Sequence, residues 1–240
     1  MRKNLNEWAK SAASLLFFSN IRHLHIDNST ISRETLGDGP VPNSHWVQLT
    51  NEGSYRLLVI ASEEEDFPDD AFLEIKHERS AEDLELPPCR VEIVLGLPVS
   101  RLYVVLPTNV EPRLPFGCNA PFMQDPARTG IKNPSTSPTN RWLLSRIGKL
   151  AAGSMLNWLG RSDLAMEERA KAYQLLRKPA EDGDSVPVDC VYRICREFEE
   201  ACSDEPILLT NAGTLAYADS VLAPPPALYS VWSVNELGRI

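Results

Sequence analysis

Seven prolines fall between Pro107 and Pro138. Proline fixes its own φ and has no backbone N–H, so neither a long helix nor a regular central strand is expected there. That stretch divides the chain into two halves with different hydrophobic periods. Before it, short runs alternate apolar and polar residues; after it, apolar residues recur at helical spacing. The combination predicts an α+β protein, a mostly antiparallel sheet packed by helices, with a helical C-terminal part. Residues 1–160 are expected to form an α+β region ending in a loop and helix. Residues 161–240 are expected to form a helical extension with a short β-like tail.

Within the first half, residues 3–18 carry Leu5, Trp8, Ala12, Leu15 and Leu16 at helical spacing and predict a leading helix. Ile21–Ile26 alternates like a strand, and Asp27–Pro42 is expected to be loop. Trp46–Leu49 and Tyr55–Ala61 read as strands around the turn residues Asn51-Glu-Gly53. Glu63–Asp70 is an acidic loop. Phe72–His77, Cys89–Leu97 and Arg101–Leu106 read as further strands, with Glu74 and Lys76 on an exposed polar edge.

Ser137-Pro138 marks a helix start, serine as N-cap and proline at the first helical position. The helix should run to Leu159 and stop at Gly160, burying Leu143, Ile147, Leu150, Ala151, Ser154 and Trp158. A second helix follows Ser162-Asp163 and ends before Pro179. A third spans Asp189–Cys202, and Ile207–Leu222 is the β-like tail. The closing run Val-Trp-Ser-Val-Asn-Glu-Leu reads as the opening of another element and predicts a longer architecture.

Length and composition narrow the functional classes. The 240 residues, 43% hydrophobic and 24% charged, suit one large or two small cores. A net charge of −9 makes nucleic acid an unexpected partner. No apolar run approaches the roughly 18 residues of a membrane span, and the polar residues after Met1-Arg2-Lys3 break up a signal peptide. The five cysteines, odd in number and without a CxxC pair, predict a reducing, cytoplasmic setting and buried apolar thiols.

Against that acidic background one stretch stands out. Between Pro112 and Arg161 lie Arg113, Arg128, Lys132, Arg141, Arg146, Lys149 and Arg161, with Asp125 the sole acid, a net of +6. Loop arginines beside a helix N-terminus favour a phosphate through the guanidinium fork, the unsatisfied N–H groups and the helix dipole. The alternative is a solvated basic helix face that balances acidic loops elsewhere.

The same stretch carries Leu106-Pro-Thr108, Leu114-Pro-Phe-Gly-Cys-Asn-Ala120, Phe122-Met-Gln-Asp-Pro-Ala-Arg128 and Ser137-Pro-Thr-Asn-Arg-Trp-Leu144. It resembles the segment that follows the nucleotide-binding domain in sacsin-like members of the Hsp90-like, histidine-kinase-type ATPase superfamily. The resemblance covers Leu106–Leu159, about a fifth of the chain. It implies a middle or transducer domain whose arginine reaches the γ-phosphate in a partner nucleotide-binding domain. The position that takes this catalytic role is Arg128, since an arginine stabilises charge on a transferring phosphoryl group. Lys132, Arg141, Asn119 and Asn140 are the further candidates for the phosphate-contacting region, the two asparagines chiefly by fixing loop geometry. ATP and Mg would then be bound through the partner domain, and a protein client is a further implied partner.

The nucleotide domain's own marks are missing. No D-x-G-x-G turn and no glycine-rich phosphate loop occur; Leu36-Gly-Asp-Gly-Pro40 and Asp182-Gly-Asp184 are turn signals. The chain is therefore expected to act with an ATPase domain rather than to hydrolyse ATP alone. The other class of reading is a non-catalytic module whose basic loop and helix bind a phosphate-bearing or acidic partner, with Trp142 and Trp158 as contact anchors or core. A nuclease reading of Pro68-Asp69-Asp70 and Glu74-Ile75-Lys76 fails on spacing, four residues from Asp70 to Glu74. His23 and His25 share a strand face but lack a third metal ligand, and Cys118 lacks a histidine partner for nucleophilic chemistry.

Overall fold

The computed structural model describes residues 12–18, 20–79, 85–176 and 186–221. The expected helix over 3–18 falls mostly outside them; the described part is a 3-10 turn, Ala12–Leu15, that buries Leu15 and Leu16. The architecture is α+β. Strands β1 (His23–Ile26), β2 (Ser29–Asp38), β3 (Ser44–Thr50), β4 (Ser54–Ala61), β5 (Glu92–Leu95), β6 (Leu102–Val104), β7 (Leu106–Pro107) and β8 (Phe116–Asn119) make one sheet. Its order is β1-β2-β3-β4-β5-β8-β6-β7. Every neighbouring pair is antiparallel except β6 and β8, where Leu102 lies beside Cys118 in parallel.

The β3–β4 hairpin follows the sequence signals. Thr50 pairs with Ser54, and the Asn51 side chain accepts from the Gly53 N–H at 3.1 Å, the bond expected of an asparagine turn. Three other expectations are corrected. Asp27–Pro42 is largely strand β2, which folds back on β1 through a two-residue turn with Asp27 at φ 51°. Its polar sequence hid it, because near the edge of the sheet most of its residues face water. Phe72–His77 belongs to helix α1 (Asp69–Arg79) instead of a strand. Asp69 and Asp70 in its first turn, and Lys76, His77 and Arg79 in its last, complement the helix dipole. The Asp70 carboxylate also accepts the Ala71 N–H at 2.9 Å. The third correction is β8, inside the proline-rich stretch. Pro115 and Pro121 flank it without entering, and Phe116, Gly117 and Cys118 are all buried. A central strand covered on both faces shows no alternation to read.

The helix α2 (Pro138–Gly160) begins as predicted: the Ser137 side chain accepts from the Asn140 N–H at 3.2 Å, with proline at N1. It lies on one face of the sheet, and α4 (Val186–Cys202) packs along it. The two helices meet closely at Gly148, where an added Cβ would stand 2.5 Å from the Ile194 carbonyl oxygen. One apolar cluster joins Leu58, Ile93 and Phe116 of the sheet to Leu143, Ile147 and Met155 of α2 and to Ile194 of α4. Trp158 is part of this core, while Trp142 is half-buried against Phe67. The opposite face of the sheet buries Ile31, Val47, Leu49, Leu57 and Val94 under Leu15 and Leu16.

The second predicted helix is short: α3 (Met166–Ala170) runs into a 3-10 turn, Lys171–Leu175. Buried Arg169 donates to the Leu159 carbonyl at 2.7 Å and the Gly213 carbonyl at 2.6 Å. It thereby closes the end of α2 and ties down the small hairpin of β9 (Leu208–Leu209) and β10 (Leu215–Ala216). Among the described residues no helix is long and apolar enough to cross a membrane, and no disulfide links the five cysteines.

Candidate functional site

The basic stretch separates into two kinds of cation once folded. Lys132 pairs with Glu78 and lies 4.0 Å from Glu74, both on α1. The Lys132 ammonium holds the Glu78 carboxyl below the ordinary glutamate range, chiefly by hydrogen bonding and then by its charge. Lys149 faces Glu197 of α4 at 3.9 Å, and Arg161 grips Asp163 at 2.6 Å. Arg146 turns inward, donating to the Cys89 and Glu63 carbonyls at 2.8 and 2.6 Å and to the Ser62 hydroxyl at 2.9 Å. Arg113, Arg128 and Arg141 make no ion pair with the described residues; Arg113 and Arg128 are exposed and Arg141 is half-buried.

The anion position expected at the start of α2 is filled from within. The Glu74 carboxylate accepts from the Ser137 hydroxyl and from the Thr139 N–H, each at 2.9 Å. Thr139 returns a bond from its hydroxyl to the Ala71 carbonyl at 3.2 Å. An unsatisfied helix N–H and the positive end of the dipole are what a carboxylate answers. Glu74 is thus a capping residue, and the expectation of an exposed polar edge there is corrected.

Arg128 stands apart from this neutralised surface. It sits at the tip of a short hairpin whose arms meet in a bridge between Gln124 and Ile131. Asp125 shapes the tip: its carbonyl accepts the Arg128 N–H at 2.9 Å and its carboxylate accepts the Thr129 N–H at 2.9 Å. Arg128 adopts φ 55°, a left-handed backbone that costs a residue with a Cβ roughly 1–2 kcal/mol. Sequence reasoning missed Asp125 and Thr129 as the residues that build this loop, although the turn-forming run Asp-Pro-Ala-Arg-Thr-Gly is a local signal for it.

The base of the loop is clamped by Asn140, fully buried in the first turn of α2. Its side-chain oxygen accepts the Met123 N–H at 2.7 Å, and its amide donates to the Met123 and Lys132 carbonyls at 2.9 Å each. Asn119 does similar work at the neighbouring turn. It accepts the Val105 N–H at 2.9 Å and donates to Glu92 at 2.7 Å, while Val105 is held at φ 65°. Both asparagines position backbone; Asn140 does so from a fully buried site, whereas half-buried Asn119 does so near the surface.

The structure therefore brings Arg128, Lys132 and Asn140 together through one hairpin and its clamp. Arg141 follows Asn140 in the first turn of α2, whereas Asn119 braces the adjacent β6–β7 turn. A separate groove of about 420 Å³ opens between α2 and the end of β4, lined among others by Asn43, Glu63, Trp142, Arg146, Lys149 and Asn157. It includes none of the five predicted site residues, and the Arg146 guanidinium in its wall is committed to protein carbonyls. Among the described residues, no three His, Cys, Asp or Glu side chains are grouped to hold a metal. No family model, no curated protein and no solved structure matches this chain.

Proposed function

We propose that the chain is a non-autonomous component of a sacsin-like, Hsp90-like ATPase, a middle or transducer domain that supplies Arg128 to the nucleotide site of a partner domain. ATP and Mg are held by that partner. Hydrolysis there alters the contact with the arginine loop and passes the nucleotide state onward as domain movement, in a chaperone-like or defence-related switch. A cytoplasmic location belongs to this reading.

The observation that carries it is the state of Arg128. An exposed guanidinium without an ion pair among the described residues sits on strained backbone, in a loop over-determined by Asp125 below it and Asn140 at its base. Strain that the surroundings enforce is a mark of functional loops. A loop held in place beforehand leaves only the arginine side chain to be ordered on meeting a phosphoryl group.

The test is ATP turnover by the candidate nucleotide-binding domain with and without this chain. The chain alone should show none, and together they should turn over faster. Arg128→Asn keeps a residue tolerant of positive φ and removes the charge. It should abolish the stimulation, an effect on the order of 10³ for an arginine that meets the transferring phosphoryl group. Undiminished stimulation by the variant removes the arginine mechanism. Turnover by the isolated chain removes the separate nucleotide domain.

A further inference from the structure

We propose that Arg113 and Arg128 form one two-pronged contact for a polyphosphate chain, the oligophosphate of a nucleotide presented by the partner domain. This deepens the reading above and rests on it: Arg128 does not act singly, and the second fork comes from a loop that the resemblance did not nominate.

Four observations support the pairing, two of which join the loops that carry the two residues. Arg113 and Arg128 are both exposed arginines at positive φ, 49° and 55°. Their loops are bonded to each other, because the Asn109 N–H donates to the Thr129 carbonyl at 2.7 Å. They also touch: a Cβ added at Gly130 would lie 3.7 Å from a Val110 methyl. Finally, the loop of Arg113 is fixed from below. Val110 accepts the Leu102 N–H at 3.0 Å, and buried Pro112 and Leu114 flank the arginine and turn it outward.

The acids near these loops are already engaged. Glu111 pairs with Arg101 at 2.5 Å, and Asp125 accepts the Thr129 N–H within its own loop. Two guanidinium groups are thus presented on linked, braced loops with no carboxylate assigned to either among the described residues. Each fork matches a pair of phosphate oxygens, so two forks favour a chain of phosphates over a single one. The backbones beneath them are fixed beforehand, so binding has only the two side chains left to order.

The experiment is a titration of the full chain with sodium tripolyphosphate, followed through the arginine Nε–Hε signals in proton–nitrogen NMR spectra. Arg22, exposed beside β1 at the opposite edge of the sheet, is the control. The signals of Arg113 and Arg128 should move with one midpoint, ahead of Arg22, and tripolyphosphate should act at lower concentration than orthophosphate. Arg113→Asn, which tolerates the left-handed backbone, should raise the Arg128 midpoint about three- to tenfold, the worth of one charge-assisted contact. Arg128→Asn should do the same to Arg113. Movement of Arg128 with Arg113 silent overturns the pairing and leaves the single-arginine reading standing. Silence of both, or movement of all three together, overturns the pairing and removes the support that a phosphate-binding loop gives to that reading.

Discussion

Asn140 holds Met123 by both of its backbone groups, accepting its N–H at 2.7 Å and donating to its carbonyl at 2.9 Å. The same side-chain amide reaches the Lys132 carbonyl, so one buried residue closes the two arms of the hairpin that carries Arg128. Asn140→Ala leaves these groups without partners in a half-buried setting. Each unsatisfied group costs about 1–3 kcal/mol, so a urea midpoint should fall by an amount equivalent to about 2–4 kcal/mol. Amide hydrogen exchange at Met123 and Thr129 should accelerate more than exchange in the middle of α2. Uniform acceleration along both segments would show that Asn140 supports the whole fold and not this loop.

Glu74 is the acceptor at the start of α2, and its geometry separates charge from shape. Glu74→Ala removes both the cap bond to Thr139 and the charge at the positive end of the helix, an expected loss of about 1–2 kcal/mol. Glu74→Gln keeps an oxygen acceptor and should recover about half of that loss. Denaturant melts of the two variants check the order. Equal losses would place the whole effect in the charge.

Arg146 should be the most costly of the seven basic residues to remove. Its guanidinium donates to the Cys89 and Glu63 carbonyls and the Ser62 hydroxyl, lies 3.5 Å from Glu65, and packs 4.9 Å from the Trp142 ring centre. Removing it strands two carbonyls and opens space beside Trp142. Arg146→Ala is expected to lose about 3–5 kcal/mol. Arg146→Lys, lacking the planar fork, should recover less than half. Chemical denaturation with tryptophan fluorescence reads both, and a loss below that of Glu74→Ala would contradict this ranking.

These residues mark the boundary of what the sequence makes legible. The start of α2 was readable because a serine cap and proline at N1 act within one turn. The β3–β4 hairpin was readable because Asn51-Glu-Gly53 acts across three residues. Glu74 was misread because its partners, Ser137 and Thr139, lie more than sixty positions away and no local pattern announces them. The α1 helix was taken for a strand because it buries only Ala71 and Ile75, too little to impose a helical period. In the candidate site, Arg128 was chosen through the resemblance, and local turn signals such as Asp125-Pro126 place it in a loop. That Lys132, Lys149 and Arg161 are paired and Arg146 is buried depended on acids and carbonyls brought in by the fold, so a net of +6 overstated the uncommitted positive charge.

The cysteines supply a prediction from burial alone. Burial pushes the Cys118 thiol far up, raises Cys190 to about 12 with help from Asp189, and raises Cys202. Cys89 is also raised by burial, against the opposing influence of Arg146, while Cys195 is half-exposed. Alkylation needs both access and a thiolate. Iodoacetamide applied to the native protein should therefore modify Cys195 first and Cys89 next, with Cys118, Cys190 and Cys202 reacting only as the chain unfolds; peptide mass spectrometry gives the order. The same shifts have a sign for stability. A thiol whose folded pKa is raised contributes fully below the unfolded thiol value of about 8.5, and that contribution is lost as pH rises toward the folded one. The urea midpoint should therefore decline steadily on the alkaline side, from about pH 8.5 upward. Early labelling of Cys118, or a midpoint that holds level through that range, would contradict the burial assigned to these residues.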